Sequence, residues 1–288
     1  MGEIAEARAH FNQSIALYNP VQHRPLAARF GQDTRVTVLV WRAVASWVLG
    51  YPEKAIADIH HALKDAREFG QAATLMLALG HTTLTHILCG NYTTANVQAN
   101  ELVALADEKG ALLWKAWGMS DQGSLLALSG KSAEAVQIIS SGIAAIRSTG
   151  AQRWMPLYLS YLARAYAELG QFSDAWCSAG AAMTAVETTK ETLCEAEVNR
   201  MAGDIALMSP ERDEAKAEAY FERALAVARA QQAKSWELRA AVSMARLWRD
   251  QGKRDEARGL LAPVYGWFTE GFDTPDLKQA EALLDELA

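Results

Sequence analysis

The stretch GALLWKAWGMSDQGSLLALSG, residues 110–130, begins and ends with glycine, and the same interval recurs along the chain. Glycine occupies a series of positions spaced by twenty residues: 50, 70, 90, 110, 130, 150 and 170. A glycine placed just after a helix commonly closes it, because glycine adopts the left-handed backbone conformation without a Cβ clash. We therefore predict that each of these glycines ends a helix of about 17 residues, roughly 25 Å long.

The residues between the glycines follow a helical period. In LYLSYLARAYAEL, residues 157–169, apolar side chains recur at three- and four-residue spacing, which places them on one face of a helix. No stretch of useful length alternates with the period of two that a half-buried strand shows. Half of the 288 residues are hydrophobic and only seven are proline, as expected of a helix-rich globular chain. The expected fold class is all-α.

Two successive helices form one unit of forty residues, and small side chains mark the points where they cross. Seven residues before every second glycine the sequence carries Ala43, Thr83, Gly123 and Ala163, and five residues after it Ala55, Ala95, Ala135 and Ala175. Antiparallel helices that pack closely need small residues where their axes approach. The pattern predicts stacked helical hairpins that form an α-α superhelix with a curved, open inner surface.

The repeat predicts a single superhelical domain over residues 1–288. It starts with an unpaired helix over 3–18 and a linker over 19–33, and it ends with a capping helix over 274–287. About six helical hairpins lie between them, at 34–70, 71–110, 111–150, 151–190, 191–231 and 232–271. The N-terminal edge has no seal equivalent to the capping helix, so we interpret the chain as the C-terminal part of a larger protein. Packing of 19–33 over that edge is the alternative.

Charge and cysteine usage exclude several classes of function. The net charge is −6, without a basic cluster, so nucleic acid is not expected as a direct partner. Cys89, Cys177 and Cys194 have no CxxC spacing, and we interpret them as reduced thiols. No window resembles a signal peptide or approaches eighteen uncharged apolar residues, so we expect a cytoplasmic protein without a membrane partner.

Signatures of catalysis are missing from the sequence. It contains no HExxH, GxSxG, GxxxxGK[ST] or strand-linked GxGxxG motif, so we predict no catalytic residue, no metal ligand, no cofactor and no enzymatic activity. His81 and His86 lie five residues apart and do not stack on one helix face. We assign both a structural role.

Side chains on the inner face of the superhelix are the candidate binding residues. Trp47, with Val40 and Val44, is predicted to form an apolar patch in the inner groove of the first hairpin. The corresponding inner positions of later repeats are polar: Arg164, Glu197, Arg200, Asp204, Arg239, Arg246 and Arg249. Arginine binds carboxylates in a bidentate manner. Two interpretations stay open: a groove for a ligand or peptide, or ion pairs between neighbouring repeats that stiffen the superhelix.

The stretch YLARAYAELGQFSDA, residues 161–175, resembles a tetratricopeptide (TPR) repeat. The signature spacing is carried by Leu162, Ala163, Tyr166, Gly170, Phe172, Ala175 and, beyond that stretch, Ala182. The usual period of that family is about 34 residues, so forty residues imply longer helices. The resemblance implies a TPR-like solenoid.

Further segments resemble the C-terminal repeat region of bacterial multidomain proteins that pair a class III adenylate or guanylate cyclase domain with an AAA-type ATPase. These segments include RFGQD (29–33), EAEVNRMAGD (195–204), AKSWELRAAVSMARLW (233–248) and LLAPVYGWFTEGFDTPDLKQAEALLDEL (260–287). The resemblance implies a regulatory region that senses or docks partners for upstream enzyme domains. The cyclase and ATPase motifs themselves are absent from this sequence.

Two functions follow from this sequence as expectations. The first is a non-catalytic protein-interaction module of a bacterial signalling protein that binds a peptide or protein segment on its concave face or N-terminal edge. Self-association through that edge is a further option. The alternative is a sensor domain in which Arg200, Arg239 and Arg246 hold a small anionic effector and regulate an attached cyclase or ATPase.

Overall fold

The computed structural model describes residues 4–288, and every regular element in that range is a helix. The N-terminal elements are α1 (Ile4–Leu17), α2 (Pro20–His23), a 3-10 turn (Arg24–Leu26) and α3 (Ala27–Phe30). Six antiparallel hairpins follow: α4 (Thr34–Val48) with α5 (Pro52–Phe69), α6 (Ala72–Leu88) with α7 (Tyr92–Glu108), α8 (Leu112–Leu128) with α9 (Ser132–Ser148), α10 (Met155–Glu168) with α11 (Phe172–Thr189), α12 (Glu195–Met208) with α13 (Glu214–Ala230), and α14 (Lys234–Asp250) with α15 (Arg254–Tyr265). The last helix is α16 (Pro275–Glu286), which packs on α14 and α15. The predicted all-α, TPR-like superhelix is confirmed.

The glycine register acts as the sequence predicted. All seven glycines have a positive φ, from 63° at Gly110 to 89° at Gly50, and each follows a helix directly or after one capping residue. Where the register shifts, Lys190 and Gln232 take the same left-handed conformation with φ of 60° and 55°. The helix ends are therefore kept although the glycine is lost.

The small residues lie where the helices of one hairpin cross. A Cβ atom on Gly123 would lie 2.5 Å from Cγ1 of Ile139 and 2.9 Å from its backbone nitrogen, so only glycine lets α8 and α9 approach this closely. Gly203 is likewise covered by the ring of Phe221 on α13. The predicted crossing point at Gly123 is confirmed, and Gly203 provides a further one.

The segment 19–33 is folded, in contrast to the predicted linker. Asn19 begins α2 by accepting a hydrogen bond from the backbone N–H of Val21 at 3.0 Å, and Asp33 begins α4 by accepting from Val36 at 3.1 Å. Both are N-cap contacts, which satisfy donors that the first turn of a helix leaves free. The preceding helix, α1, packs against α4. Residue 3, the predicted start of that helix, lies outside the described residues.

The two ends of the superhelix meet. The Ser235 hydroxyl donates to the backbone oxygen of Trp47 at 2.5 Å, and the Trp47 and Trp236 rings form a T-shaped pair with centroids 4.5 Å apart. Nearby, the backbone N–H of Gly271 donates to Oε1 of Glu53 at 2.9 Å. We call this junction of the first two hairpins with α14 and the α15–α16 segment the ring contact. The predicted curved, open inner surface is therefore wrong at this junction, because the last hairpin packs back against the first.

Aromatic side chains fill the N-terminal half of the interior. Trp41 lies edge-on to His81 with centroids 4.6 Å apart and parallel to Trp154 at 6.1 Å. Burial lowers the pKa of His81 to about 4, so this imidazole is neutral and packs as part of the core.

A buried carboxyl lies next to this aromatic cluster. Asp121 is 1% exposed and accepts a hydrogen bond from the Tyr158 hydroxyl at 2.9 Å. Burial raises the pKa of Asp121 to about 8, because no cation compensates for the loss of water around the carboxylate. The carboxyl is thus mostly protonated at neutral pH.

No helix between residue 4 and the C-terminus is both long and apolar enough to cross a bilayer.

Candidate functional site

A cavity of about 710 Å³ occupies the C-terminal half of the interior. Its walls come from α10, α12 and α14, with Tyr92 from the second hairpin and Asp276 and Gln279 from α16. Six of the predicted inner-face residues line it: Arg164, Glu197, Arg200, Asp204, Arg239 and Arg246. The volume is typical of sites that enclose a small molecule or a short peptide.

Helical spacing brings these side chains together. On α12, Glu197, Arg200 and Asp204 are separated by three and four residues and project from one face. On α14, Arg239, Ser243 and Arg246 repeat the arrangement at the next inner position. Since α12 and α14 are neighbouring inner helices in contact, the two polar stripes face a common space.

Arg200 is fully engaged by carboxylates of its own helix. Its Nε lies 2.7 Å from Oε2 of Glu197 and its Nη1 lies 2.5 Å from Oδ2 of Asp204. Burial alone raises the pKa of Glu197, but Arg200 and Arg239 outweigh this and hold the pKa below its usual value. Glu197 is therefore ionised although it is buried.

Arg239 connects three helices and the ring contact. Its Nε lies 2.8 Å from Oδ2 of Asp276, its Nη1 lies 3.4 Å from Oε1 of Glu197, and its Nη2 donates to the backbone oxygen of Leu88 at 2.8 Å. Neighbouring repeats are thus joined by ion pairs, as one of the two interpretations of these arginines requires. Because the cavity lies next to these ion pairs, the groove interpretation and the ion-pair interpretation are compatible.

Arg246 differs from the other arginines of the cavity. It is in no salt bridge among the described residues, and its one hydrogen bond is from Nη2 to Oε1 of Gln279 at 3.2 Å. The side chain is exposed to the cavity, yet burial lowers its pKa, and the nearby Arg249 and Arg200 lower it further against the opposing effect of Asp204. A guanidinium that is partly desolvated and forms no salt bridge can bind an anion directly.

Tyr161 adds a second unsatisfied group. The residue is 1% exposed, lines the cavity, and has a hydroxyl without a hydrogen-bond partner. Burial raises its pKa, and Arg239 and Glu197 are the charged groups that act on it most strongly.

Two of the predicted groove residues lie elsewhere. Trp47 is 2% exposed and is covered by Trp236 and Arg239, so it belongs to the ring contact and forms no open apolar patch with Val40 and Val44. Arg249 pairs with Asp250 at 2.9 Å and with Glu286 at 2.5 Å, outside the cavity lining. Both deviations arise because the superhelix closes and because α16 covers the end of α14.

Several cavity residues were missed from the sequence: Tyr92, Tyr161, Glu168, Asp276 and Gln279. The forty-residue stride contained a signal for one of them, since Trp41, His81, Asp121 and Tyr161 occupy equivalent positions on successive inner helices. Asp276 carried no such signal, because its helix follows the last repeat.

No group of three or more histidine, cysteine, aspartate or glutamate residues within 4–288 is placed to hold a metal ion.

Comparison with solved structures confirms the architecture. The chain superposes on NprR in complex with its cognate peptide NprX, with a TM-score of 0.63, 14% identity, and coverage of 99% of this chain and 84% of that one. For a Rap protein in complex with competence and sporulation factor, the TM-score is 0.61 and the identity 13%, with coverage of 99% of this chain and 80% of that one. For a tetratricopeptide repeat protein from Parabacteroides merdae ATCC 43184, the TM-score is 0.56 and the identity 11%, with coverage of 99% of this chain and 98% of that one.

At these identities the likeness shows the fold, a TPR-like superhelix over 99% of the chain. No protein-family model matches the sequence. No curated protein matches it either.

Proposed function

We propose that this chain is a non-catalytic interaction module whose central cavity binds a peptide segment. The observation that carries the proposal is the 710 Å³ cavity lined by arginine, carboxylate and tyrosine side chains, inside a superhelix of the kind that holds a peptide in NprR. Polar side chains that converge in a concave site fix the orientation of a ligand.

The charge of the cavity supports a peptide over a small anionic effector held by Arg200, Arg239 and Arg246. Arg200 and Arg239 already pair with Glu197, Asp204 and Asp276. An anion on either guanidinium must displace a carboxylate and leave a buried charge unpaired, which is costly. Of the three arginines in the sensor interpretation, only Arg246 can therefore bind an anion without displacing a carboxylate.

A photo-cross-linking experiment tests the proposal. One variant carries p-benzoylphenylalanine in place of Met208, which lines the cavity and is 40% exposed; the control carries it at Val97, 61% exposed on the outside of α7. Both are irradiated in lysate of the source cell, and the cross-linked segments are identified by mass spectrometry. We expect a small set of segments at position 208 that is absent at 97; identical sets at both positions contradict the proposal.

We further propose that this binding regulates enzyme domains of the cyclase and ATPase classes, with a protein or peptide as partner and the cytoplasm of a bacterium as location. The support is the sequence resemblance of 195–204, 233–248 and 260–287 to such regulators. The reading frame around the gene tests it: cyclase or ATPase domains encoded on the same polypeptide are expected, and a frame that encodes neither contradicts the proposal.

A further inference from the structure

The charges that line the cavity balance. Four arginines (Arg164, Arg200, Arg239, Arg246) face four carboxylates (Glu168, Glu197, Asp204, Asp276), so the lining contributes no net charge. Arg164 pairs with Glu168 at 2.9 Å, which completes the pairing of every arginine except Arg246. The lining therefore has no excess positive charge that would attract a polyanion, but it has one guanidinium that forms no salt bridge among the described residues.

The second unsatisfied group projects from a different inner helix. Tyr161 lies on α10 and Arg246 on α14, with α12 between them, and both residues line the cavity. A ligand that contacts both must therefore span the cavity from α10 to α14.

The two groups differ in their burial, which distinguishes an inner and an outer end of the cavity. Tyr161 is almost fully buried, whereas Arg246 is exposed. The hydroxyl is thus at the floor of the cavity and the guanidinium is at its mouth. A ligand that satisfies both must be uncharged at the inner end and anionic at the outer end.

We propose that the ligand is a peptide segment that presents a carboxylate to Arg246 and a backbone hydrogen-bonding group to the Tyr161 hydroxyl. This inference rests on the proposed function, and it names the chemistry that the cavity selects. The carboxylate comes from the C-terminus of the peptide or from an aspartate or glutamate side chain.

The test uses random tetrapeptide mixtures with either free or amidated C-termini, each made with and without aspartate and glutamate. Immobilised full-length protein is incubated with each mixture, and retained peptides are quantified by mass spectrometry. Retention is expected to fall at least about tenfold for the amidated mixture without acidic residues, because a hydrogen-bonded charge pair is lost. Retention of the free-acid mixture without acidic residues identifies the C-terminus as the source; retention of the amidated acidic mixture identifies the side chain.

Three variants complete the test. Arg246→Gln is expected to lose at least about tenfold in retention of carboxylate peptides. Tyr161→Phe is expected to lower the retention of acidic and amidated peptides alike by several-fold, since the hydroxyl does not contact the carboxylate. Arg258→Gln changes an exposed arginine of α15 outside the cavity lining and serves as the control with unchanged retention. Circular dichroism verifies that each variant is folded.

The outcomes distinguish the carboxylate assignment from peptide binding itself. Equal retention of the amidated, acid-free mixture, or an Arg246→Gln variant that binds like the wild type, overturns the carboxylate assignment and leaves peptide binding intact. Retention of no mixture by the wild type overturns both.

Discussion

Arg239 lies over the indole of Trp47, with its guanidinium carbon 5.0 Å from the ring centroid, and so joins the last hairpin to the first. The same guanidinium pairs with Asp276 and donates to the backbone oxygen of Leu88. One side chain therefore belongs to both the cavity wall and the ring contact. The stability of the closed superhelix and the shape of the cavity are coupled through it.

Replacement of this residue tests that coupling. Arg239→Met is expected to lower the free energy of unfolding by about 3 kcal/mol, because a buried ion pair is broken and Asp276 loses its partner. Urea denaturation measures the loss, with Arg258→Met, at an exposed position, as the control. A loss below about 1 kcal/mol, the size of a surface pair, contradicts the assignment.

The ring contact also requires the glycine at position 90. Its φ is 79°, and a Cβ there would lie 2.5 Å from Cγ of Pro275, whereas Gly170 has a φ of 74° with nothing within 4 Å. Gly90→Ala and Gly170→Ala therefore incur the same backbone strain, about 1 kcal/mol. We expect Gly90→Ala to be less stable than Gly170→Ala by at least about 1 kcal/mol in urea denaturation. Equal losses indicate that the ends do not meet in solution.

Asp121 predicts a pH dependence of stability. Its pKa is about 8 in the folded chain against an ordinary value of 3.8, so the unfolded state loses the proton first as the pH rises. The free energy of unfolding is expected to fall between about pH 4 and pH 8 through this group. Asp121→Asn removes that decrease, because the amide still accepts from Tyr158 and carries no proton to lose.

The measurement is the difference in stability between Asp121→Asn and the wild type across this range. It is expected to grow with pH by about 2 to 5 kcal/mol and to level off above pH 8. The titration of His81 and of other groups cancels in the difference. A difference that does not change with pH contradicts a buried, uncompensated carboxyl.

Lys190 offers a stabilising substitution. It is exposed and has a φ of 60°, in the conformation that glycine takes at the other helix ends. Lys190→Gly is expected to raise the free energy of unfolding by about 0.5 to 1 kcal/mol, because the Cβ strain is removed. Lys109→Gly, at an exposed C-cap with a φ of −91°, is the control, for which no gain is expected. Thermal denaturation by calorimetry compares the two.

The repeat was predictable from the sequence because its determinants are local. A glycine that ends a helix and a small residue such as Gly123 at a crossing act through residues in the same or the next helix, and their spacing is visible in the chain. The inner positions of α12 and α14 followed from the same stride, so Arg200, Arg239 and Arg246 were found together. These are consequences of helical geometry alone.

The remaining features of the site depended on the curvature of the superhelix, which no local sequence pattern encodes. Trp47 was predicted to be open because one hairpin does not reveal that another, nearly two hundred residues later, returns to cover it. Asp276 was missed because its pairing with Arg239 depends on where the final helix lies after the superhelical turn. The state of each arginine, paired or free, likewise follows from tertiary placement.

The meeting of the two ends changes how this array folds and evolves. In an open solenoid each unit touches only its neighbours, so contact order is low and units can be added or lost. Here Trp47 bonds to a residue 188 positions away and Glu53 to one 218 away, so closing the chain carries the entropy of a very long loop. Insertion or deletion of one forty-residue unit would separate these partners, and the number of hairpins is therefore fixed by the requirement that the circle closes.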